Sequence, residues 1–136
     1  MEDFVTFEIA KKLKEKGFNI PSYFYYRTDD KFLHNAVVGK PLVYNDKIDD
    51  EVIIAPTNTQ VLKWLRKEKN VHIKASVYQD ESEDSDGRIV DKWCFWNWDI
   101  QSCISGNILQ DGDDTQYESY EEASLAGIEY VINNLI

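Results

Sequence analysis

The sequence predicts an α+β domain, a small and mainly antiparallel sheet with about three helices packed mostly on one face. Three features carry that expectation. Thr57 to Tyr78 joins a capped segment of helical period directly to a segment of period two. Helical patterns also open and close the chain, around Thr6–Lys16 and after Ser119. Short alternating stretches bounded by turn residues lie between them.

The opening helix is expected from Phe4 or Thr6 to Lys16, with Ile9, Ala10 and Leu13 as its apolar stripe and Lys11, Lys14 and Glu15 facing away. Gly17 stops it in a left-handed cap, and Phe18 folds back on the last turn. Pro21 opens a strand over Ser22–Arg27. Tyr23 and Tyr25 share one face and Phe24 and Tyr26 the other, so both faces are expected to be covered. Leu42–Tyr44 is expected as a strand between Lys40-Pro41 and the turn Asn45-Asp46. Glu51–Ile54 is either a further short strand or the approach to the next helix. His34 is expected on the surface.

Thr57 with Gln60 three residues on is a capping box, and Pro56 before it suits an entry point. Val61, Leu62, Trp64 and Leu65 then share one side, and Lys63, Arg66 and Lys67 the other. Asn70 ends the helix in a left-handed conformation. Val71, Ile73, Ala75 and Val77 next alternate with His72, Lys74, Ser76 and Tyr78, the pattern of a half-buried strand. Gln79–Gly87 reads as a hairpin loop. In the following strand Cys94, Trp96, Trp98 and Ile100 form one face, expected to be core. Trp93, Phe95, Asn97 and Asp99 form the other, which turns from aromatic to polar. Ser105-Gly106-Asn107 is a turn and Ile108-Leu109 a closing strand. Ser119 and Glu122 form a second capping box, opening a helix whose apolar residues Tyr120, Leu125, Ile128, Val131, Ile132 and Leu135 imply deep burial.

At 136 residues the chain is expected to be one domain, 1–136, with a real core. It has no run of apolar residues long enough for a membrane span and no signal-peptide core at its start, so a cytoplasmic setting is expected. Cys94 and Cys103 are its two cysteines, expected to be free thiols and too few for a zinc set. Charge is uneven: residues 1–74 hold 13 Lys+Arg and 11 Asp+Glu (+2), residues 75–136 hold 2 and 14 (−12), which together give the net −10. Such a balance reads first as solvated surface charge that keeps the chain soluble, and second as an acidic end that repels nucleic acid and attracts basic partners.

The acids Asp80, Glu81, Glu83, Asp84 and Asp86 crowd one stretch. As a calcium loop, with Gly87 at its sixth position, it has Ser82 first and Trp93 last, so the bidentate carboxylate is missing. No metal or cofactor is expected.

Three stretches resemble a family of small uncharacterised proteins of bacteriophages, prophages and gut Bacteroidetes-type bacteria. They are Ala55-Pro56-Thr57 through Arg66, Ser119–Ala123 through Gly127-Ile128, and Phe4–Glu8 with Lys14–Phe18. The likeness touches both ends and the middle, and rests on helix caps and core positions. It implies a phage or mobile-element setting and brings no catalytic residue. The acidic stretch and the Trp-rich strand lie outside it.

No Gly-x-Ser-x-Gly elbow, phosphate loop or His-Glu-x-x-His motif is present, so no catalytic residue is assigned and the chain reads as a non-enzyme. The first expectation is a non-enzymatic protein–protein interaction module, in which Tyr23, Tyr25, Trp93 and Phe95 are either aromatic anchors of an interface or, as the first reading of these four, core packing under a further layer. A homodimer through the last helix or the aromatic face is one form of it. A second is an acidic nucleic-acid mimic, in which the acids at 80–86 and 111–118 face a basic DNA-binding protein. A third is a small enzyme pairing Cys94 or Cys103 with His72.

Overall fold

The structure, a computed structural model, describes residues 3–35 and 51–136. Its elements run α1 (Phe7–Glu15), β1 (Phe24–Arg27), β2 (Leu33–Asn35), β3 (Val52–Ile54), α2 (Asn58–Glu68), β4 (Val71–Glu83), β5 (Ile89–Ser102), β6 (Ile108–Gln110) and α3 (Tyr120–Asn134). The fold class is α+β, and every strand pairing among the described residues is antiparallel. The strands form two three-stranded sheets, β2-β1-β3 and β4-β5-β6. The chain likewise divides into two compact units, residues 1–64 with 129–136 and residues 65–128, each with its own sheet. The strand expected at Leu42–Tyr44 lies outside the described residues. Among those described, no helix is long and apolar enough to cross a membrane.

In the first unit, Thr6 caps α1, and Ile9, Ala10 and Leu13 are buried along one stripe. The helix ends as its sequence demands. Phe18 N–H returns to Leu13 O (2.9 Å) and Gly17 N–H to Lys14 O (3.2 Å), with Gly17 at φ +90° and Phe18 buried. Covering a side chain of this size contributes about 1.5–3 kcal/mol. Phe18 meets Trp64 edge-on at 5.3 Å. β1 is the central strand, pairing Tyr25 with His34 on one side and with Ile54 on the other. The capping box of α2 is complete: Gln60 N–H donates to Thr57 Oγ1 (3.2 Å) and Thr57 N–H to Gln60 Oε1 (3.0 Å). Val61, Leu62, Trp64 and Leu65 are buried, while Lys63, Arg66 and Lys67 are exposed. Asn70 takes the left-handed conformation, φ +56°.

The second unit is built on a long hairpin. β4 and β5 stay paired from Val71↔Ser102 to Ser82↔Asp91, with a register shift before Glu83↔Ile89. The stretch expected as a loop from Gln79 is therefore strand as far as Glu83, and the turn is confined to the few residues after it. A regular ladder continued because nothing between Gln79 and Glu83 breaks it: there is neither Gly nor Pro. At the base, Ile73, Trp98 and Ile100 are buried with Ala123 and Ile128. Gly127 of α3 lets the helix backbone approach Ile73 and Trp98 closely. The second capping box is skewed by one residue. Ser119 Oγ accepts Glu122 N–H (3.1 Å), but the Glu122 carboxylate accepts the N–H of Glu118 (3.2 Å).

Candidate binding surface

Burial falls steadily along the hairpin. Trp98 and Ile100 are fully covered, Trp96 and Phe95 are half-buried, and beyond them the ribbon lies open. Val77 is 52% exposed, Ile89 49%, Val90 62% and Trp93 37%. The expectation that Cys94 belongs to the core is corrected here: it is exposed. Alternation placed it on the face of Trp98 and Ile100, but that face is covered at the base and open at Cys94 and Val77. Val77 departs from its expected burial for the same reason.

One face of the ribbon brings together three of the expected residues, Asp80, Trp93 and Phe95. Tyr78 lies opposite Phe95, their rings stacked at 5.8 Å and 23°. Next along, Asp80 lies opposite Trp93. Gln116 joins the two, accepting Trp93 Nε1–H (2.8 Å) and donating to Asp80 Oδ2 (2.8 Å). Glu81 pairs with Lys92 on the opposite face. Asp84 is held inside the turn, its Oδ1 accepting the N–H groups of Asp86 and Arg88, both at 2.9 Å. Asp86 and Glu83 are exposed. Among the described residues, none of these carboxylates is ion-paired, and no three His, Cys, Asp or Glu gather to hold a metal.

Tyr25 belongs to the other sheet, and Tyr23 directly precedes its strand β1. Tyr23 is exposed beside β1, and Tyr25 stacks on His34 at 5.5 Å and 16°. His34 Nε2 in turn lies 2.9 Å from Asp30 Oδ2. The Phe32 N–H on its carboxylate, more than the imidazole, holds Asp30 below its usual range. Of the aromatic anchors, Trp93 and Phe95 lie on β5, Tyr25 lies on β1, and Tyr23 lies just outside the strands.

Sequence reasoning missed Gln116 and Tyr117. Tyr117 exchanges both backbone hydrogen bonds with Trp96 (2.7 and 2.9 Å), and its hydroxyl donates to Asp113 Oδ2 (2.6 Å). Burial, then the Asp113 carboxylate, raises the phenol above its ordinary value. Two single polar residues in an acidic segment carry no motif that would have marked them.

The chemistry of a Cys–His pair does not assemble at Cys94. His72 and Cys94 lie on opposite faces of the ribbon, seven residues apart in register, or about 23 Å. Cys103 is exposed at the base, its N–H on Asn70 O (2.8 Å). Among the described residues, neither thiol is hydrogen-bonded to a histidine. No protein-family model matches this chain, and no curated protein or solved structure matches it.

Proposed function

We propose that this chain is a non-enzymatic module that binds a basic protein through the outer half of the β4–β5 hairpin. The observation that carries this reading is the exposure of Val77, Tyr78, Ile89, Val90 and Trp93 in the middle of the most acidic stretch of the chain. A two-stranded ribbon without a covered face is marginal in water. Apolar and aromatic side chains placed there gain most when a partner covers them, and aromatic residues are preferred anchors of such contacts. From Gln79 to Lys92 there are six acids, Asp80, Glu81, Glu83, Asp84, Asp86 and Asp91, against Arg88 and Lys92. This selects a partner of positive charge and speeds encounter with it. The resemblance seen in the sequence supplies a phage or mobile-element setting.

A second reading, mimicry of nucleic acid, is favoured by one further arrangement. The acidic segment that holds Asp111, Asp113, Asp114 and Glu118 runs beside the ribbon, tied to it by Gln116 and by the Tyr117 bridge. Both acidic stretches then present their charge together, and the basic partner would be a DNA-binding protein.

The test is capture of host proteins on the tagged chain at about 50 mM and about 500 mM salt, across which exposed charges become screened. A triple variant, Glu81→Gln with Glu83→Gln and Asp91→Asn, is run beside it. A basic protein held at low salt, released at high salt and lost by the variant is the expected result. A partner held equally at both salts and by the variant would defeat the charge-led reading. Competition by duplex DNA would single out mimicry.

A further inference from the structure

β4 has a neighbour on one side only, β5, in the sheet order β4-β5-β6. Its other edge is open among the described residues, and the hydrogen bonds show which groups point there. Trp96 exchanges both its backbone bonds with Tyr117, on the side of β5 away from β4. Cys103 N–H reaches Asn70 O on the β4 side. Backbone direction alternates along an antiparallel strand, so the even-numbered residues of β5 turn away from β4. Val77, opposite Trp96, therefore turns its N–H and C=O to the open edge, as do Gln79, opposite Cys94, and Glu81, opposite Lys92. All three are exposed. Edges of this kind are templates for another strand and are usually shortened or interrupted. Here the ladder behind the edge is regular from Val77 to Ser82, about 17 Å, as far as the register shift before Glu83.

We infer that the β4 edge over Val77–Ser82 takes up an extended, basic segment of the partner as an additional antiparallel or parallel strand. The inference rests on the proposed function and adds the mode of recognition. The backbone of Val77, Gln79 and Glu81 supplies the hydrogen bonds, as in other strand additions, and flanking side chains select the sequence. Charge complementarity names the occupant. Asp80, Glu81 and Glu83 lie on this strand, so a segment with Lys or Arg at alternate positions meets opposite charge beside the edge. A second copy of this chain would bring its own acids and a net charge of −10 to the same place, which opposes self-pairing.

The probe is an eight-residue peptide alternating Lys and Val, titrated onto the full chain with total tryptophan fluorescence and calorimetry as readouts. Gln79→Pro removes an outward N–H and leaves the inward ladder its donors, the one strand position type that tolerates proline. It is expected to weaken the peptide about tenfold or more, while Gln79→Ala stays within about twofold. Circular dichroism checks that both fold. N-methylation of alternate peptide amides tests the same bonds without touching the protein: one set is expected to abolish binding and the other to leave it. Peptide binding that is lost in the charge variant but indifferent to Gln79→Pro and to both methylation sets would overturn strand addition and leave the charge-led function standing. A peptide that fails to bind at low salt would also overturn strand addition, while the capture experiment separately decides the function. Dimers of the chain that Gln79→Pro abolishes would overturn the basic occupant in favour of a second copy.

Discussion

Asp80 and Trp93 stand directly opposite each other across the β4–β5 ladder and are bridged by one side chain, Gln116, through two hydrogen bonds of 2.8 Å. The bridge pins an exposed indole in one orientation and ties the segment after Asp113 to the ribbon. A net contribution of about 1 kcal/mol per bond is ordinary, and more where a carboxylate accepts. Gln116→Ala is expected to lower stability by about 1–2 kcal/mol and to broaden and red-shift Trp93 emission. A double-mutant cycle of Asp80→Ala with Gln116→Ala in urea should show coupling; strict additivity would mean that the bond adds nothing to stability in solution.

The reciprocal bonds between Thr57 and Gln60 place the start of α2. Thr57 is buried, so water cannot replace the lost partner. Thr57→Ala should cost about 1–2 kcal/mol, and Thr57→Ser much less, because serine keeps the accepting oxygen. The urea midpoints of the two variants check this.

Cap chemistry of this kind was legible because it is local: donor, acceptor and spacing are all written within four residues. The same holds for the stop at Gly17 and Phe18 and for the left-handed Asn70. Burial along β5 was not legible. Alternation assigns residues to faces, but whether a face is covered depends on how far the neighbouring elements reach, and here Trp98 and Cys94 share a face with opposite fates. β2, three residues reading Leu-His-Asn, has no pattern of its own and exists because β1 pairs with it. The site was legible in its residue types at Trp93, Phe95 and Asp80, and not in the polar residue that joins two of them.

Both cysteines are free and exposed, Cys94 within β5 and Cys103 directly after it. A maleimide should label two thiols in the native protein, with no gain on denaturation. Labelling of Cys103 alone, located by peptide mass, would show that Cys94 is covered, by self-association or by a layer over its face.

Tyr26 is buried, and its hydroxyl donates to Val5 O at 2.5 Å. Burial raises its pKa above the ordinary 10.0. The folded state therefore holds this proton more tightly than the unfolded one. The stability that follows is full below pH 10.0 and is lost as pH rises through the raised folded value. Tyr26→Phe leaves Val5 O without its partner and should cost about 1–2 kcal/mol at neutral pH. It should also flatten part of the alkaline fall seen in urea midpoints measured across that range.

Gly127 faces Ile73 so closely that a Cβ there would lie 2.7 Å from Ile73 Cγ2, with Trp98 Cβ and Cγ at 3.5 Å. Two effects of Gly127→Ala oppose each other. Alanine in mid-helix gains about 1 kcal/mol from propensity. Overpacking a closed core costs about 1–3 kcal/mol, and Ile73 is β-branched, buried and stiff, so it has little room to yield. The clash should win, lowering stability by about 1–2 kcal/mol. Removing the obstructing methyl group tests the cause. In an Ile73→Ala background the same substitution should become neutral or stabilising, since the methyl that Gly127→Ala strikes is gone. A cost that persists there would place the strain on Trp98 instead, and Gly127→Ala should then shift the fluorescence of that buried indole.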